Sequence, residues 1–500
     1  MRLFFCFSPI RILLLPLMVF CGLAVFYPEV AILPFQGEIQ NSRNPEAILQ
    51  FTRLLFGISA VASGFIFCLW RWLRESAFST IKGIAGISSH SFWILVILLA
   101  ALPRLVVFFE LPYQPIADAW WYHSTALNLA TGYGYSIGGQ VTAYRPPGYP
   151  FLLSLTYRLL GPNFAWAWLL GAVSTVIVIL TTYYIARRQY GAVVARLATI
   201  AIAVYPALVL QTGQAMSDLP FLAGLLLLIL FILSYFPPRL MHVVIIGVAL
   251  GALTLTRGVA IGLVGVIPVI WFIQGLPARK LVIASVMLGL AFMISVTPWM
   301  ARNYSIFGRY VIATNTGINA YIGNNHRASG GYGFGALRLA KGKYPNESEL
   351  DRALLNKAVD FVSAHPIDAA KLLPRKLVHL YLSETSAVTS LFQGKKLYSP
   401  SKKCALYVLT QSSYSVLLIL FCFRAFTLSA PANHLQGIQW LGWVLVFYFS
   451  FLTLVFFGTD RFRLPILPWM LIESSVFIFR AVERRSGLAG RDKAGAAERI

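Results

Sequence analysis

Long apolar stretches alternate with short polar segments over most of the chain. A helix needs roughly 20 apolar residues to cross the hydrocarbon core of a bilayer. By that measure twelve spans are predicted, over 10–28, 51–70, 92–111, 164–186, 197–215, 219–236, 241–256, 259–274, 281–300, 405–425, 439–458 and 464–480. The pair 241–256 and 259–274 is short, and fits either two spans or a re-entrant hairpin. Two polar segments, 112–163 and 301–404, are too long to be plain connections. In the first, Ala117 to Ala130 has the spacing of a short amphipathic helix. A glycine-rich break follows, then YRPPGYP (Tyr144 to Pro150), expected as a rigid extended turn. In the second, helices are expected over Ser348–Ala364 and, at the interface, over His365–Ser383. The expected fold is therefore an all-α polytopic membrane protein of about twelve transmembrane helices, with an interfacial helix in the first outer loop.

Composition agrees. The 500 residues are 58% hydrophobic and 12% charged, with a mean hydropathy of +0.71. A soluble domain carries about twice that share of charge. A soluble enzyme, a disordered chain and a disulfide scaffold are excluded on this ground. Five cysteines, four of them in or beside apolar runs, offer neither a disulfide framework nor a metal spacing. The first apolar run follows Arg2 and Arg11 and lacks a small-x-small cleavage site, so it is read as an uncleaved span. Residues 481–500 are read as a polar cytoplasmic tail.

The net charge of +23 sets the sides. With both ends inside, 18 basic residues fall in cytoplasmic segments and 8 in the short outer ones, the other 15 lying in 301–404. Short loops obey the positive-inside bias and long ones are exempt. The charge follows the membrane flanks, so nucleic acid is not an expected partner. Neither a P-loop, a dinucleotide fingerprint nor a zinc spacing occurs.

This topology gathers the polar residues of the span ends on the outer face. Asp118 stands first. A carboxylate at the interface is costly to desolvate, and serves as base, metal ligand, ion-pair partner or helix cap, with Arg145 as the nearest cation of the same loop. Tyr122 lies one turn further on. Asp218, in QAMSDLPF, is either a second carboxylate of the site or a helix N-cap. Arg257 sits in an apolar stretch, where a cation is usually functional or paired with a helix C-terminus. Arg302, Arg461 and Arg463 suit phosphate, or else anchor helix ends at the interface. Asp460 is expected to neutralise Arg461, and Glu473 to be paired within its span. His123 is read as a packing residue with a possible supporting role.

At this point a resemblance emerges. DAWWY (Asp118 to Tyr122) resembles the Asp-x-x-x-Tyr of the first outer loop of GT-C glycosyltransferases. The similarity is strongest to the family 39-like branch, which includes the protein O-mannosyltransferases and the lipid A aminoarabinose transferase. YRPPGYP, ARNYSIFGRY (Ala301 to Tyr310), TGINAYIGNN (Thr316 to Asn325) and DRFRLPILP (Asp460 to Pro468) continue it, over roughly 92–480. The resemblance implies a GT-C-type bundle and an inverting sugar transfer at the extracytoplasmic face of the cell membrane. The donor would be a polyprenyl-phosphate sugar and the acceptor a cell-envelope lipid or glycan. Asp118 would be the catalytic carboxylate. Asp218 would be a second one, for acceptor or for a divalent metal, and Arg145, Arg257, Arg302, Arg461 and Arg463 would hold the donor phosphate. Tyr122, His123 and Tyr144 would support the site. Two positions depart from relatives: Trp121 stands where some carry a cation, and Tyr144 where some carry an acid. Both bear on substrate and metal use.

The resulting division is a two-span addition (1–91), a core module (92–300) containing the catalytic loop, an outer lid (301–404), terminal spans (405–480) and the tail. Two other classes fit the same outline. One is a flippase or transporter of lipid-linked sugars, though no internal repeat is visible. The other is a polysaccharide polymerase or ligase using a lipid diphosphate.

Overall fold

The computed structural model describes residues 79–110, 115–333, 344–392, 400–427 and 437–486. The expected spans 10–28 and 51–70, and most of the tail, lie outside the described residues.

The elements follow in order. α1 is Ser89–Glu110 and α2 is Asp118–Ala130. A two-residue hairpin, β1 (Ser136–Ile137) with β2 (Gln140–Val141), precedes α3 (Gly148–Leu160). Then come α4 (Ala165–Tyr190), α5 (Ala192–Val204), α6 (Pro206–Gln211), α7 (Asp218–Ser234) and α8 (Leu240–Thr256). A 3₁₀ turn at Gly258–Ala260 leads to α9 (Leu263–Ile273) and α10 (Ala278–Phe307). The second outer segment holds α11 (Thr316–Gly323), α12 (Glu347–Ala364), α13 (Pro366–Tyr381) and α14 (Ser386–Phe392). The chain closes with α15 (Pro400–Phe426), α16 (Gly437–Val455), a 3₁₀ segment at Asp460–Ile466 and α17 (Leu467–Ser486).

The fold is all-α, and the chain is a multi-pass membrane protein. Among the described residues five helices are long and apolar enough to cross a membrane, and five shorter apolar ones pack among them. Every expected span from 92 onward thus has an apolar helix, with two differences in detail. The expected span 197–215 is broken. Tyr205 is extended (φ −60°, ψ 118°) because Pro206 disfavours a helical residue before it. One carbonyl left at the break is met from α1, where Arg104, only 4% exposed, donates to Ala203 O at 2.8 Å and also to the Thr212 hydroxyl, Oγ1, at 3.0 Å. The region 241–274 is two helices joined by an irregular corner, in which Arg257 is extended (φ −146°, ψ 120°). Tyr448 of α16 donates to Val259 O at 2.5 Å and so holds the corner. Irregular backbone at this depth is tolerated where it lines a cavity, as this corner does.

α8 and α10 pack through small residues. A Cβ at Gly247 would stand 2.6 Å from Ala291 Cβ and 2.8 Å from Leu288 O, and one at Gly251 would stand 2.5 Å from Ser295 Cβ. Glycines four apart let two membrane helices approach closely. Gly247→Leu should therefore force α8 away from α10, costing about 1–3 kcal/mol by overpacking. Thermal unfolding of the purified protein in detergent checks this, and an unchanged midpoint would show that the helices can separate freely.

Within 112–163 the helix expected over Ala117–Ala130 is present. YRPPGYP is not wholly extended, since α3 starts at Gly148, immediately after the two prolines, which suit a helix entrance. Gly148 is required there: an added Cβ would lie 2.8 Å from Leu255 O, at the C-terminal end of α8. In the second segment α12 and α13 match the expected helices. α12 is capped by Asn346, whose Oδ1 accepts from Glu349 N at 2.9 Å. The short helices α11 and α14 were not expected.

Candidate active site

The start of α2, the corner after α8 and the 3₁₀ segment before α17 converge on one point. Asp118 opens α2, directly after Ala117 at φ 51°, a left-handed conformation that a non-glycine residue adopts at a cost. Its Oδ1 accepts from Arg145 Nη2 at 2.5 Å and its Oδ2 from Arg461 Nη1 at 2.8 Å. Arg461 also grips Asp218 through both ends of its fork, Nε to Oδ1 at 2.8 Å and Nη2 to Oδ2 at 2.7 Å. Arg257 donates to Asp218 Oδ1 from the far side. Two carboxylates and three guanidiniums thus form one continuous network with a single excess positive charge.

Aromatic rings set the orientation. Arg145 lies 5.1 Å from the Tyr122 ring, 5.5 Å from Tyr144 and 5.6 Å from Trp121, a cation–π cage that positions the guanidinium. Tyr122 Oη meets Ser217 Oγ at 3.0 Å, which ties α2 to the start of α7. The Arg145 Nε is buried and has no hydrogen-bond partner among the described residues. Asp118 is the most exposed of the five, at 35% of its side chain. Burial pushes its carboxyl up, but Arg145 and Arg461 outweigh this and hold it below the usual carboxylate range.

The network faces a cavity of about 1090 Å³. Its lining includes the charged Asp118, Arg145, Arg257 and Arg461 and the apolar Phe292, Met293, Val296 and Met300 of α10 with Leu452 of α16. An apolar cavity with a few convergent polar groups is the usual form of a ligand site.

The remaining expected site residues lie apart from the network. Arg302 donates to Thr142 O at 2.9 Å and Tyr135 O at 3.3 Å, and sits 4.6 Å from the Trp299 ring, pinning the hairpin region to α10. Arg463 is 1% exposed, bonded to Ser383 O at 2.8 Å and Glu384 at 2.5 Å, with the Tyr414 ring 3.6 Å away. It follows Arg461 by two positions in a 3₁₀ helix of three residues per turn, so the two arginines face different ways. Asp460 does not neutralise Arg461 through its side chain. It accepts from Thr385 N at 2.6 Å and Ser386 N at 2.7 Å, which orders the entry to α14. Glu473 pairs with Arg424 at 2.8 Å inside the bundle. His123 packs against Phe164 and meets Tyr157 Oη through Nδ1 at 2.7 Å.

A divalent metal at Asp118 and Asp218 does not fit this arrangement. All four carboxylate oxygens already accept from guanidinium groups, and three cations surround the place a fourth would take. The described residues bring no group of three His, Cys, Asp or Glu together. Glu347 was passed over in the sequence. It accepts from Ala143 N at 2.5 Å, Thr142 Oγ1 at 2.8 Å and Thr314 Oγ1 at 2.9 Å, so the second outer segment holds the chain just before Arg145. Nothing in its local sequence distinguishes it from the other acids of α12.

Residues 144–301 match the sequence model of the dolichyl-phosphate-mannose-protein mannosyltransferase family. No curated protein matches the chain. Among solved structures, ArnT from Cupriavidus metallidurans bound to undecaprenyl phosphate is 13% identical, with a TM-score of 0.41 over 83% of this chain and 81% of that one. The oligosaccharyltransferase AglB from Archaeoglobus fulgidus, in complex with an inhibitory peptide and a dolichol-phosphate, is 11% identical, with a TM-score of 0.40 over 84% of this chain. The chain spans about half of that archaeal protein, 52%. Such low scores add no weight to the family match. Over residues 144–301, then, the chain is similar to the GT-C membrane glycosyltransferases of the family 39-like branch, the group its outer-loop strings resemble.

Proposed function

We propose that the chain is an integral-membrane inverting glycosyltransferase. It would move a monosaccharide from a polyprenyl-phosphate carrier to a lipid or glycan acceptor of the cell envelope, at the extracytoplasmic face. In this reading both termini are cytoplasmic, residues 92–300 are the core module and 301–404 the lid. The observation that carries the reading is the Asp118–Arg145–Arg461–Asp218–Arg257 network facing a cavity that is otherwise lined largely by apolar side chains.

The chemistry follows from charge. A polyprenyl-phosphate sugar is a phosphodiester with one negative charge, which the single excess positive charge of the network matches. As the bond from the anomeric carbon to the phosphate oxygen breaks, its electron pair leaves with the phosphate. The charge that develops is met by Arg145, Arg257 and Arg461, fixed before the reaction starts. The acceptor hydroxyl attacks the anomeric carbon and its proton passes to Asp118, the most exposed acid of the network. A carboxylate with a depressed proton affinity takes that proton only as the new C–O bond forms and the hydroxyl turns acidic. The apolar wall from α10 would receive the first isoprene units. A lipid diphosphate brings an additional negative charge that the network does not balance, and this favours the transferase over the polymerase or ligase.

The test uses purified protein in lipid, a panel of labelled polyprenyl-phosphate sugars and a cell-envelope extract. Label that moves into an extract component identifies the donor. Label retained on every monophosphate carrier, with turnover of a diphosphate carrier, would overturn the reading.

A further inference from the structure

His379 belongs to α13, yet it lines the same cavity as Asp118 and Arg461. It is 5% exposed, and its Nε2 is buried with no hydrogen-bond partner among the described residues. A buried polar atom left unpaired is costly, and such atoms are rare without a reason.

The ring is held firmly. The main chain of Ser329 hydrogen-bonds it, a contact that favours a proton on the bonded nitrogen. Gly331 lies against the ring, where an added Cβ would come within 2.6 Å of Cε1 and 2.8 Å of Nε2. Gly458 pairs with Gly331 in a parallel bridge, and a Cβ there would stand 2.6 Å from His379 Cβ. Only glycines allow these two chains to close on the imidazole. Burial pushes the imidazole down to about 4, so the ring is neutral near pH 7. A neutral imidazole with one nitrogen protonated keeps a lone pair on the other.

The cavity that His379 lines carries several hydroxyl groups. Ser383, Thr385, Ser386 and Tyr332 line the same cavity. Gly458 leads within three residues to Arg461, so this wall adjoins the charged network. A sugar is one bond removed from the phosphate that such a network attracts.

We propose that His379 is a specificity-determining residue whose Nε2 accepts a hydrogen bond from one hydroxyl of the sugar on the donor lipid. The proposal rests on the glycosyl-transfer reading and adds the group that inspects the sugar.

The experiment compares wild type, His379→Phe and His379→Gln, each purified in detergent. Binding of a polyprenyl-phosphate hexose and its monodeoxy analogues is followed by tryptophan fluorescence, and label transfer is measured in parallel. The wild type should bind one monodeoxy analogue about tenfold more weakly than the parent, the loss expected of one hydrogen bond. His379→Phe should lose that preference while binding the deficient analogue as the wild type does. His379→Gln, which retains an acceptor oxygen, should recover part of it. Equal binding of all analogues by the wild type, or a loss in His379→Phe that is the same for every analogue, would overturn the proposal and leave His379 a packing residue. Discrimination in binding without any label transfer would sink the transferase reading and keep the hydroxyl site. A wild type that binds none of the lipids would sink both.

Discussion

Replacing Arg461 by alanine should abolish sugar transfer and unfold the outer layer more readily than any other single change in the site. Arg461 is the only one of the three arginines that touches both carboxylates, so its loss separates Asp118 from Asp218. Asp218 would then keep Arg257 alone, although its side chain is only 4% exposed. Removing one partner of a buried ion pair costs about 3–5 kcal/mol, because the remaining charge stays in a poor solvent. The catalytic loss should be at least about 10²-fold, the effect of deleting one preorganised donor. Arg461→Lys separates the two effects. An ammonium restores the charge but not the fork, so it should recover much of the thermal midpoint and little of the turnover. Label transfer and thermal unfolding, measured side by side, check this. A lysine variant with near-normal turnover would mean that the fork geometry is irrelevant.

The second large effect is expected of Asp118→Asn. The amide keeps the shape and one acceptor oxygen but cannot take a proton. Loss of a positioned base costs typically 10²–10⁴-fold in rate. Donor binding should persist or improve, because Arg145 and Arg461 lose an internal competitor for phosphate. The expected pattern is a collapse of kcat with KM for the donor unchanged or lower, read from label transfer at varied donor concentration. A rise in KM with kcat preserved would instead assign Asp118 to donor binding. Stability should respond to pH in the sense of a depressed acid. The Asp118 ion pairs contribute fully above the unfolded carboxylate range and fade as pH falls through the lower folded value.

Much of this site was legible in the sequence, for a physical reason. A charge beside an apolar run is expensive, so Asp118, Arg145, Asp218, Arg257 and Arg461 stood out, and the fold brings all five together. Direction was not legible. Arg463 looks like Arg461 on paper, but the 3₁₀ geometry at Asp460–Ile466 turns it into the bundle. Arg302 lies at an outer helix end like the others, and only the position of the β hairpin shows what it holds. Glu347 and His379 could not be singled out, because polar residues on amphipathic outer helices are ordinary and their partners lie far away in sequence. The spans from residue 92 onward were legible from hydropathy alone. The break at Tyr205 was hidden because its apolar neighbours keep the average high, even though Pro206 marks it.

The contact between Arg461 and Asp118 joins residues 343 positions apart. A ribosome working from the amino terminus therefore releases each acid with an arginine of its own, Arg145 for Asp118 and Arg257 for Asp218, long before the Arg461 that joins the two pairs. Until Arg461 is made, the nascent chain carries two separate ion pairs with no arginine shared between them. The arrival of Arg461 is thus the step that links the two pairs and adds the excess positive charge. Order of synthesis and readiness for chemistry coincide.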